Sequence, residues 1–349
     1  MSTPPSKSED YRVGWICAVQ TEYVVACEML DEEYPTLPTS RQHDNNTYTF
    51  GRIGHHNVLI ACLPKGKYGL ISAASVAKDM LCSFPSIRFG LMVGISGGAP
   101  SRKHDIRLGD VVVSSPVGRT GGVIHYEFGK TIQNKKFERT GALDAPPIML
   151  LTALSVIGAR HERKGHQIAE LVSGMINRNP RLRKKYGRPE AGTDRLYESG
   201  FVHSDRDQAC AVVCTATTAQ LVQRAERAAD EDNPVIHYGL IASADRLMKD
   251  AQVRDTLSGE EEVLCFEMEA AGLMNDFPCV VIRGICDYSD THKNDEWQGY
   301  AAATAAAYAK ELLDVIPAAE VSSMPITGGP KLSPENTKVR ISTDCGRCY

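Results

Sequence analysis

Short apolar, β-branched runs alternate with stretches of helical periodicity along the chain. The apolar runs are nearly continuous, which is typical of strands buried on both faces. They predict strands over Val13–Val19, Val58–Leu63, Phe89–Ile95, Val111–Ser114, Ile236–Ser243 and Cys279–Ile285. The helical periodicity predicts helices over Glu22–Leu30, Leu70–Ser83, Pro147–Ile157, Gln208–Ala229, Glu260–Asn275 and Tyr300–Val315. This alternation predicts an α/β fold, a single three-layer α/β/α domain with a mixed, partly parallel central sheet.

The ends of the chain and one internal segment depart from this rhythm. Residues 1–10 are rich in Ser, Pro and charge, and residues 317–349 are rich in Ser, Pro, Gly and Thr, so we expect disorder in both. Residues 160–200 are dense in basic and polar side chains and are expected to form a surface excursion. No internal repeat or domain linker stands out, which leaves one domain over residues 11–316.

Composition narrows the class of protein. The 349 residues carry a formal net charge of only -4, which gives no reason to expect binding to a nucleic-acid polymer or a membrane. No apolar run approaches the roughly 18 residues of a membrane-spanning helix, and the N-terminus lacks a secretory signal. The 11 cysteines, several within apolar runs, favour buried thiols in a reducing compartment, hence a cytoplasmic protein.

Two cysteine pairs have the spacing of half a zinc site. Cys210 and Cys214 lie four residues apart, and Cys345 and Cys348 form a C-x-x-C near the C-terminus. The sequence offers no convincing second half for either pair, so we expect no metal.

Candidate catalytic residues lie where predicted strands end. Glu22 follows the first strand, and Asp287 follows the strand that begins at Cys279. Ligands in open α/β folds bind beyond the carboxyl ends of strands. The turn after the third strand contains Gly94, Gly97 and Gly98, which let a ligand approach the backbone N–H groups. This turn lacks the G-x-G-x-x-G spacing of a dinucleotide-binding fold.

A second pair of carboxylates lies shortly before Asp287. Glu267 and Glu269 are two residues apart, within the stretch predicted as a helix. Residues two apart on a helix point in different directions, so at most one of the two is expected to face the site.

Together these segments resemble the nucleoside phosphorylase/uridine phosphorylase superfamily, which includes the methylthioadenosine/S-adenosylhomocysteine nucleosidases. The resemblance is greatest to the versions in filamentous fungi, often the N-terminal module of NLR-like proteins. It covers the chain from about Val13 to Leu313 and implies a nucleoside phosphorylase-like fold. The blocks that carry it are VGWICAVQTE, LPKGKYGLISAA, VGISGGAP, RLGDVVVSSP, IHYGLIASAD, CFEMEAAGL and VIRGICDYSD.

The resemblance implies an enzyme that cleaves the N-glycosidic bond of a purine nucleoside or nucleotide. Asp287 takes the position of the acid that protonates the leaving base, and burial would favour its protonated form. Glu269 takes the position of the carboxylate that binds the ribose hydroxyls, and Met268 packs against the sugar. The resemblance implies no metal or organic cofactor, a small-molecule nucleoside or nucleotide as partner, and a homo-oligomer, dimer or larger.

The nucleophile decides between two reactions. Glu22 and Arg283 match the positions that orient water in the nucleosidase branch, and a carboxylate would repel phosphate. Hydrolysis is therefore preferred. The alternative is a phosphorylase, with inorganic phosphate as co-substrate. A further alternative is a nucleotide-sensing or effector module of an immune-type protein.

The base pocket departs from the nucleosidase pattern. Leu247 replaces an aromatic residue that stacks on adenine, and Met248 would supply backbone hydrogen bonds, so adenine is favoured but not fixed. Ile95 replaces a Ser near the water, for which Ser96 could compensate, and Cys286 replaces the Ser beside the acid. Basic loop residues offer either surface charge or a 5′-phosphate site, namely Lys65, Lys67, Arg102, Lys103 and Arg119.

Overall fold

The computed structural model describes residues 5, 7–37, 44–205, 208, 210–214, 218–228, 231, 233–292 and 295–324. Its strands are β1 Val13–Cys17, β2 Glu32–Tyr34, β3 Tyr48–Ile53, β4 His56–Cys62, β5 Phe89–Gly98, β6 Val111–Ser114, β7 Val123–His125, β8 Gly129–Lys130, β9 Glu138–Arg139, β10 Ile236–Ser243, β11 Val263–Glu267 and β12 Cys279–Asp287. Its helices are α1 Gln20–Glu28, α2 Leu70–Ser83, α3 Ile148–Lys164, α4 Ile168–Arg178, α5 Arg183–Tyr186, α6 Cys210–Val213, α7 Ala251–Glu261, α8 Gln298–Val315 and α9 Ala318–Ser323.

The main sheet is mixed, and part of it closes on itself. Its order is β11-β10-β6-β12-β5-β1-β4-β3-β2, with β7 paired to β10. The strands β1, β5 and β12 run parallel, whereas β12 and β6 run antiparallel. The last two residues of β5, Gly97 and Gly98, also pair antiparallel with β11, which closes a ring of five strands. This ring brings the ends of β5, β11 and β12 together.

Helices cover both faces of the sheet. The Cβ position of Gly14 in β1 lies 2.7 Å from the sulfur of Met80 in α2. The Cβ position of Gly284 in β12 would overlap the carbonyl oxygen of Ala301 in α8. Gly14 and Cys279 both pair with Gly90 of β5, so their Cβ positions point to the same face of the sheet. Gly284 is the fifth residue after Cys279 in β12. Because side chains alternate along a strand, α2 and α8 lie on opposite faces, which confirms the predicted three-layer α/β class.

Helix α8 forms the centre of one layer. It is rich in alanine, and 14 of its 18 residues are buried. Small side chains allow the helix backbone to approach the sheet closely at Gly284, where a larger residue has no room. Among the described residues, no helix is long and apolar enough to cross a bilayer.

Two predicted helices are wrong. Residues Glu260–Asn275 instead contain the end of α7, strand β11 and a short 3-10 turn over Ala270–Gly272. Pairing of β11 with both β10 and β5 outweighs the helical propensity of this stretch. Over Gln208–Ala229, the described residues form only α6, a 3-10 turn and irregular structure.

The prediction for residues 160–200 also needs correction, because this segment is not only a surface excursion. Helix α4 is amphipathic, and it packs against α8. Its inward side chains belong to the main core, namely Ile168, Val172, Met175 and Ile176. The basic side chains occupy the outer face, as expected for a solvated surface.

The predicted disorder at both ends concerns residues that the structure covers only in part. Ser8–Asp10 forms a 3-10 turn. After α8 the chain continues into α9, whose Val321 is buried in the main core. The remaining tail, from residue 325 to 349, lies outside the described residues, and so do residues 1–4 and 6. The expected homo-oligomer and cytoplasmic location stay predictions.

Candidate active site

Glu22 is fixed by the turn that joins β1 to α1. It lies in the first turn of α1, and its Oε2 accepts hydrogen bonds from the backbone N–H groups of Ala18 at 2.6 Å and Val19 at 3.0 Å. A glutamate at this helix position can reach back to the N-cap backbone. Its Oε1 accepts a third bond, 2.8 Å from the N–H of Ile95 in β5. Glu22 is therefore held at the carboxyl end of β1, as the sequence predicts, and against the backbone of β5.

Burial sets the electrostatics of Glu22, which is only 3% exposed. Desolvation raises the pKa of its carboxyl group, although Arg283 and the three N–H groups act in the opposite direction. A buried carboxylate with a raised pKa is a better proton acceptor than an exposed one, which suits a general base.

Arg283 occupies the centre of the site and is fully buried in β12. Its Nη2 donates to Glu267 Oε2 in a very short ion pair and to Glu269 Oε2 at 3.4 Å. Desolvation disfavours its charge, but the carboxylates of Glu267, Glu269 and Glu22 together raise its pKa. Its Nε and Nη1 are buried and have no hydrogen-bond partner among the described residues.

The position of Arg283 Nη1 is defined by Gly94 in β5. A Cβ atom on Gly94 would overlap both Arg283 Nη1 and Glu22 Oε1. These two polar atoms therefore lie close together against the glycine backbone, in room that a side chain would fill. An unpartnered donor and an acceptor facing one space can bind a small polar molecule there.

Glu267 and Glu269 both reach Arg283, which corrects the expectation that at most one of them faces the site. Glu267 ends β11, and its carboxylate accepts from the backbone N–H groups of Glu269 and Ala270 at 3.0–3.1 Å. This turn carries the chain round so that the Glu269 side chain returns to the same guanidinium. The sequence analysis did not assign Glu267 a place in the site. The E-M-E motif predicts that place only when it is interpreted as the end of a strand followed by a turn, and not as a helix.

Glu269 is the carboxylate with the largest consequence for pH dependence. It is 5% exposed, and its Oε1 accepts from the N–H of Gly69 at 3.3 Å, just before α2. Burial raises its pKa to about 7; Arg283 opposes this rise, and the neighbouring Glu267 and Glu22 add to it. Glu269 therefore changes charge close to neutral pH.

The N-terminus of α2 holds a further acid that the sequence interpretation did not single out. Asp245 Oδ1 accepts from the N–H of Leu70 at 2.8 Å. Carboxylates are stabilising near the N-terminus of a helix. Asp245 follows β10 and precedes Leu247, so this bond fixes the loop that carries the predicted base pocket.

Asp287 ends β12 after an irregularity in the pairing with β5. The register shifts between Ile285 and Asp287, which leaves Cys286 as the extra residue. Asp287 is half-buried, and its Oδ1 accepts from the N–H of Ser289 at 2.9 Å. That oxygen also lies 2.6 Å from the Cβ position of Gly97, so the glycine leaves room for the carboxyl group.

Asp287 lies further along β5 than the Arg283 cluster. Gly97 follows Gly94 by three residues, which corresponds to about 10 Å of extended strand. The two groups therefore border the same strand, one at Gly94 and the other at Gly97. Arg283 contacts Glu267 and Glu269 directly, Glu22 lies close enough to act on its charge, and Asp287 lies further along the strand.

Three further predicted site residues, Ile95, Ser96 and Cys286, contribute backbone groups or small side chains. Ile95 contributes its N–H to Glu22, a contact that does not depend on its side chain. Cys286 Sγ lies 3.5 Å from the carbonyl oxygen of Ser96 and 3.7 Å from Asp287 Oδ2. Ser96 itself is buried, so its hydroxyl faces the protein interior.

The predicted base-pocket residues form an apolar patch after β10. Leu247 is 49% exposed, and Met248 packs on the small core cluster that includes Phe266. Met268 is half-buried between the two glutamates. An exposed leucine beside an otherwise ordered loop is available to contact a flat ligand.

The basic loop residues proposed for a 5′-phosphate are all exposed, and they do not form one cluster. Lys103 pairs with Glu262 at 2.5 Å. Arg119 lines a separate cavity of about 430 Å³, together with His125, Phe128 and Arg139.

Comparison with known proteins gives a family match over most of the chain. A profile described as the Phosphorylase superfamily matches residues 12–316, which confirms the resemblance. A nucleotide-binding leucine-rich repeat (NLR)-like protein of Hyaloscypha variabilis is 46% identical over 313 residues. The match covers 90% of this chain and 30% of the relative, so the chain spans less than a third of that protein's length.

Solved structures share the fold at low sequence identity. The futalosine hydrolase of Helicobacter pylori has a TM-score of 0.54 and 15% identity, covering 88% of this chain and 99% of its own. The 5′-methylthioadenosine/S-adenosylhomocysteine nucleosidase of Neisseria meningitidis, in complex with methylthio-immucillin-A, has a TM-score of 0.52 and 17% identity. That match covers 87% of this chain and 98% of the nucleosidase. At these identities the likeness establishes the nucleoside phosphorylase-like fold.

Proposed function

Because the chain belongs to the Phosphorylase superfamily, we propose that it hydrolyses the N-glycosidic bond of a purine nucleoside or nucleotide. Membership of this family by itself indicates an enzyme of the nucleoside hydrolase or phosphorylase class. The choice of water as nucleophile depends on one observation. This is the buried cluster in which Glu22, Glu267 and Glu269 surround Arg283.

The charge of this cluster favours water over phosphate. Among the described residues, the cation of this cluster is Arg283, and it is already paired with Glu267 and Glu269. Three carboxylates and one guanidinium leave the cluster negative, even when Glu269 carries a proton. Two like charges 4 Å apart repel by about 4 kcal/mol near a protein surface. A phosphate dianion would meet this repulsion, whereas water would not.

The proposed position of the attacking water is beside the two polar atoms that lie against Gly94. Glu22 Oε2 is occupied by two N–H groups, but Oε1 accepts only one, from Ile95. Arg283 Nη1 is an unpartnered donor in the same space. We assign the water a hydrogen bond to Glu22 Oε1 and one from Arg283 Nη1. Glu22 then accepts the water proton as the oxygen bonds to C1′ of the sugar.

Glu269 is proposed to bind the ribose hydroxyl groups. In its charged form it accepts hydrogen bonds, and its negative charge stabilises the oxocarbenium-like sugar of the transition state. Its position on Arg283 and Gly69 fixes the carboxylate before the substrate arrives. Met268, beside it in the chain, is proposed to pack against the sugar.

Asp287 is proposed to be the acid that protonates the leaving base. Its Oδ1 accepts from the N–H of Ser289, and we assign the transferred proton to Oδ2. As the C1′–N9 bond breaks and its electron pair moves to the purine, Oδ2 donates this proton to N7. The balance is one nucleoside and one water giving a free purine and a free sugar.

The base and the 5′ substituent are less constrained. The apolar patch of Leu247 and Met248 supports a purine platform, and we propose adenine. The lysines and arginines in the loops after the strands are exposed. The proposal therefore leaves the 5′ group of the sugar open among a hydroxyl, a thioether and a phosphorylated group.

Product analysis tests this proposal. The purified chain is incubated with adenosine, inosine, methylthioadenosine, AMP and ATP, with and without inorganic phosphate, and the free base and sugar products are separated by chromatography. Free adenine and unphosphorylated C1 of the sugar are expected without phosphate. Asp287→Asn and Glu22→Gln should lower the rate, while the matched surface variant Asp276→Asn should not.

Two outcomes would redirect the assignment. Release of base that requires phosphate, with a sugar 1-phosphate as product, identifies a phosphorylase. Adenine-nucleotide binding with no turnover above that of Asp287→Asn identifies a sensing or effector module instead.

A further inference from the structure

We infer that the protein binds one structural zinc ion through His203, Cys210, Cys214 and His292. One ligand atom from each of these side chains lies within 4.8 Å of all the others. The four residues come from two segments, 203–214 and the loop that follows β12. This cluster is separate from the candidate active site, and its assignment does not depend on the proposed function.

The spacing within the cluster matches a tetrahedral zinc site. His203 Nδ1 lies 3.2 Å from Cys214 Sγ. His292 Nδ1 lies 3.6 Å from Cys210 Sγ and 3.5 Å from Cys214 Sγ. Zinc bonds of about 2.3 Å to sulfur and about 2.0 Å to nitrogen place tetrahedral ligands about 3.6 Å apart. These three distances are close to those that a zinc ion would impose, and every other pair of ligand atoms lies within 4.8 Å.

The histidine rings are oriented as metal ligands. His203 Nε2 lies 3.0 Å from the carbonyl oxygen of Gln208, and His292 Nε2 lies 2.9 Å from that of Phe201. A carbonyl oxygen only accepts, so each Nε2 carries a proton, and in the neutral ring Nδ1 has the lone pair that binds a metal. Both lone pairs lie on the side of the thiols. A backbone carbonyl that holds the outer ring nitrogen is the usual support for a metal-binding histidine.

The surroundings are those of a closed, structural site. Cys214 and His292 are 2% and 6% exposed. The ring of His292 packs against both Tyr197 and Phe201, with centroids 4.1 Å and 5.0 Å away. All four ligand positions come from the protein, so no position remains for a catalytic water. Two thiolates and two imidazoles in this geometry select zinc among the common divalent ions.

The site would join two segments near the candidate acid. His292 is five residues after Asp287, and the N–H of His203 donates to Thr291 Oγ1 at 2.9 Å. Within the same loop, Tyr288 is held by Arg254 Nη1, which donates to its carbonyl oxygen at 2.7 Å. A zinc ion would cross-link residues 203–214 to this loop and stabilise the backbone that presents Asp287.

Metal content and a cobalt spectrum test the inference. The untagged full chain, purified under reducing conditions, is analysed by elemental mass spectrometry. Stoichiometric zinc is expected in wild type and in Cys82→Ser, a matched control at an exposed cysteine. At least a tenfold loss of metal content is expected in Cys210→Ser and His292→Asn. After exchange, Co²⁺ should give the visible bands of a tetrahedral site and thiolate charge-transfer absorption.

The cobalt measurement keeps the test decisive if a ligand variant fails to fold, because it uses the wild-type chain. Removal of zinc by a chelator should also lower the Tm, and added zinc should restore it. Wild-type protein without stoichiometric metal and without a tetrahedral cobalt spectrum overturns the inference. A Cys210–Cys214 disulfide in metal-free protein, or a Cys210→Ser variant that retains full zinc, also overturns it.

Discussion

Glu269→Gln should make the folded protein more stable above neutral pH while it impairs catalysis. In the folded protein, burial raises the pKa of Glu269 from its ordinary value of 4.5 to about 7. This difference corresponds to about 3 kcal/mol of stability linked to proton binding. Because the folded state binds the proton more tightly, this contribution is complete below about pH 4.5 and is lost as pH rises through about 7.

The assay is urea unfolding of wild type and Glu269→Gln from about pH 5 to about pH 8.5, where the linkage acts. Glutamine does not titrate, so the variant lacks this pH-dependent loss. The free energy of unfolding of the variant minus that of wild type should rise with pH by about 2–3 kcal/mol. Subtraction removes the contributions of other groups that titrate equally in both proteins.

Glu162→Gln is the matched control, since Glu162 is exposed on α3. Its difference from wild type should stay flat across the same range. A flat difference for Glu269→Gln as well would refute the reasoning, because it would mean that Glu269 is charged in the folded protein throughout. In the same variant, kcat/KM should fall about 10- to 100-fold through loss of charged hydrogen bonds to the sugar. The increase of wild-type kcat/KM with pH near 7 should disappear.

Three further substitutions separate the proposed roles. Asp287→Asn should lower kcat about 10²- to 10⁴-fold, the usual range for a general acid, measured as free base released; unchanged kcat would remove Asp287 from the mechanism. Gly94→Ala places a methyl group over Arg283 Nη1 and Glu22 Oε1, so hydrolysis should fall while adenine binding, measured by calorimetry, persists; full hydrolysis would exclude the water position. Leu247→Phe should tighten adenine binding about 2- to 10-fold by adding an aromatic face, and weaker binding would place the base elsewhere.

The sequence by itself determined the central strands and the residues at their ends. Runs such as Val111–Ser114 and Ile236–Ser243 are mostly apolar, and the structure has strands with those bounds. Burial on both faces leaves little choice of conformation for such runs. Glu22 could be placed for a similar reason, because a strand followed by a helix start brings its carboxylate to the sheet edge.

Local pattern was insufficient where tertiary contacts outweighed propensity. The stretch Glu260–Asn275 contains many good helix formers, but β11 within it pairs with β10 and closes the ring against β5. For the same reason the sequence interpretation separated Glu267 from the site. Only a strand ending at Glu267, followed by a tight turn, brings both glutamates to Arg283.

Only the tertiary structure decided which distant groups share a space. The sequence shows only that Cys210 and Cys214 have the spacing of half a zinc site, whereas the loop after β12 brings His292, together with His203, beside them. The space shared by Arg283 Nη1 and Glu22 Oε1 likewise exists because β5 places a glycine beneath both. Hydrophobic periodicity is a local property that the sequence records directly, whereas such contacts depend on how the sheet closes and how its ends are packed.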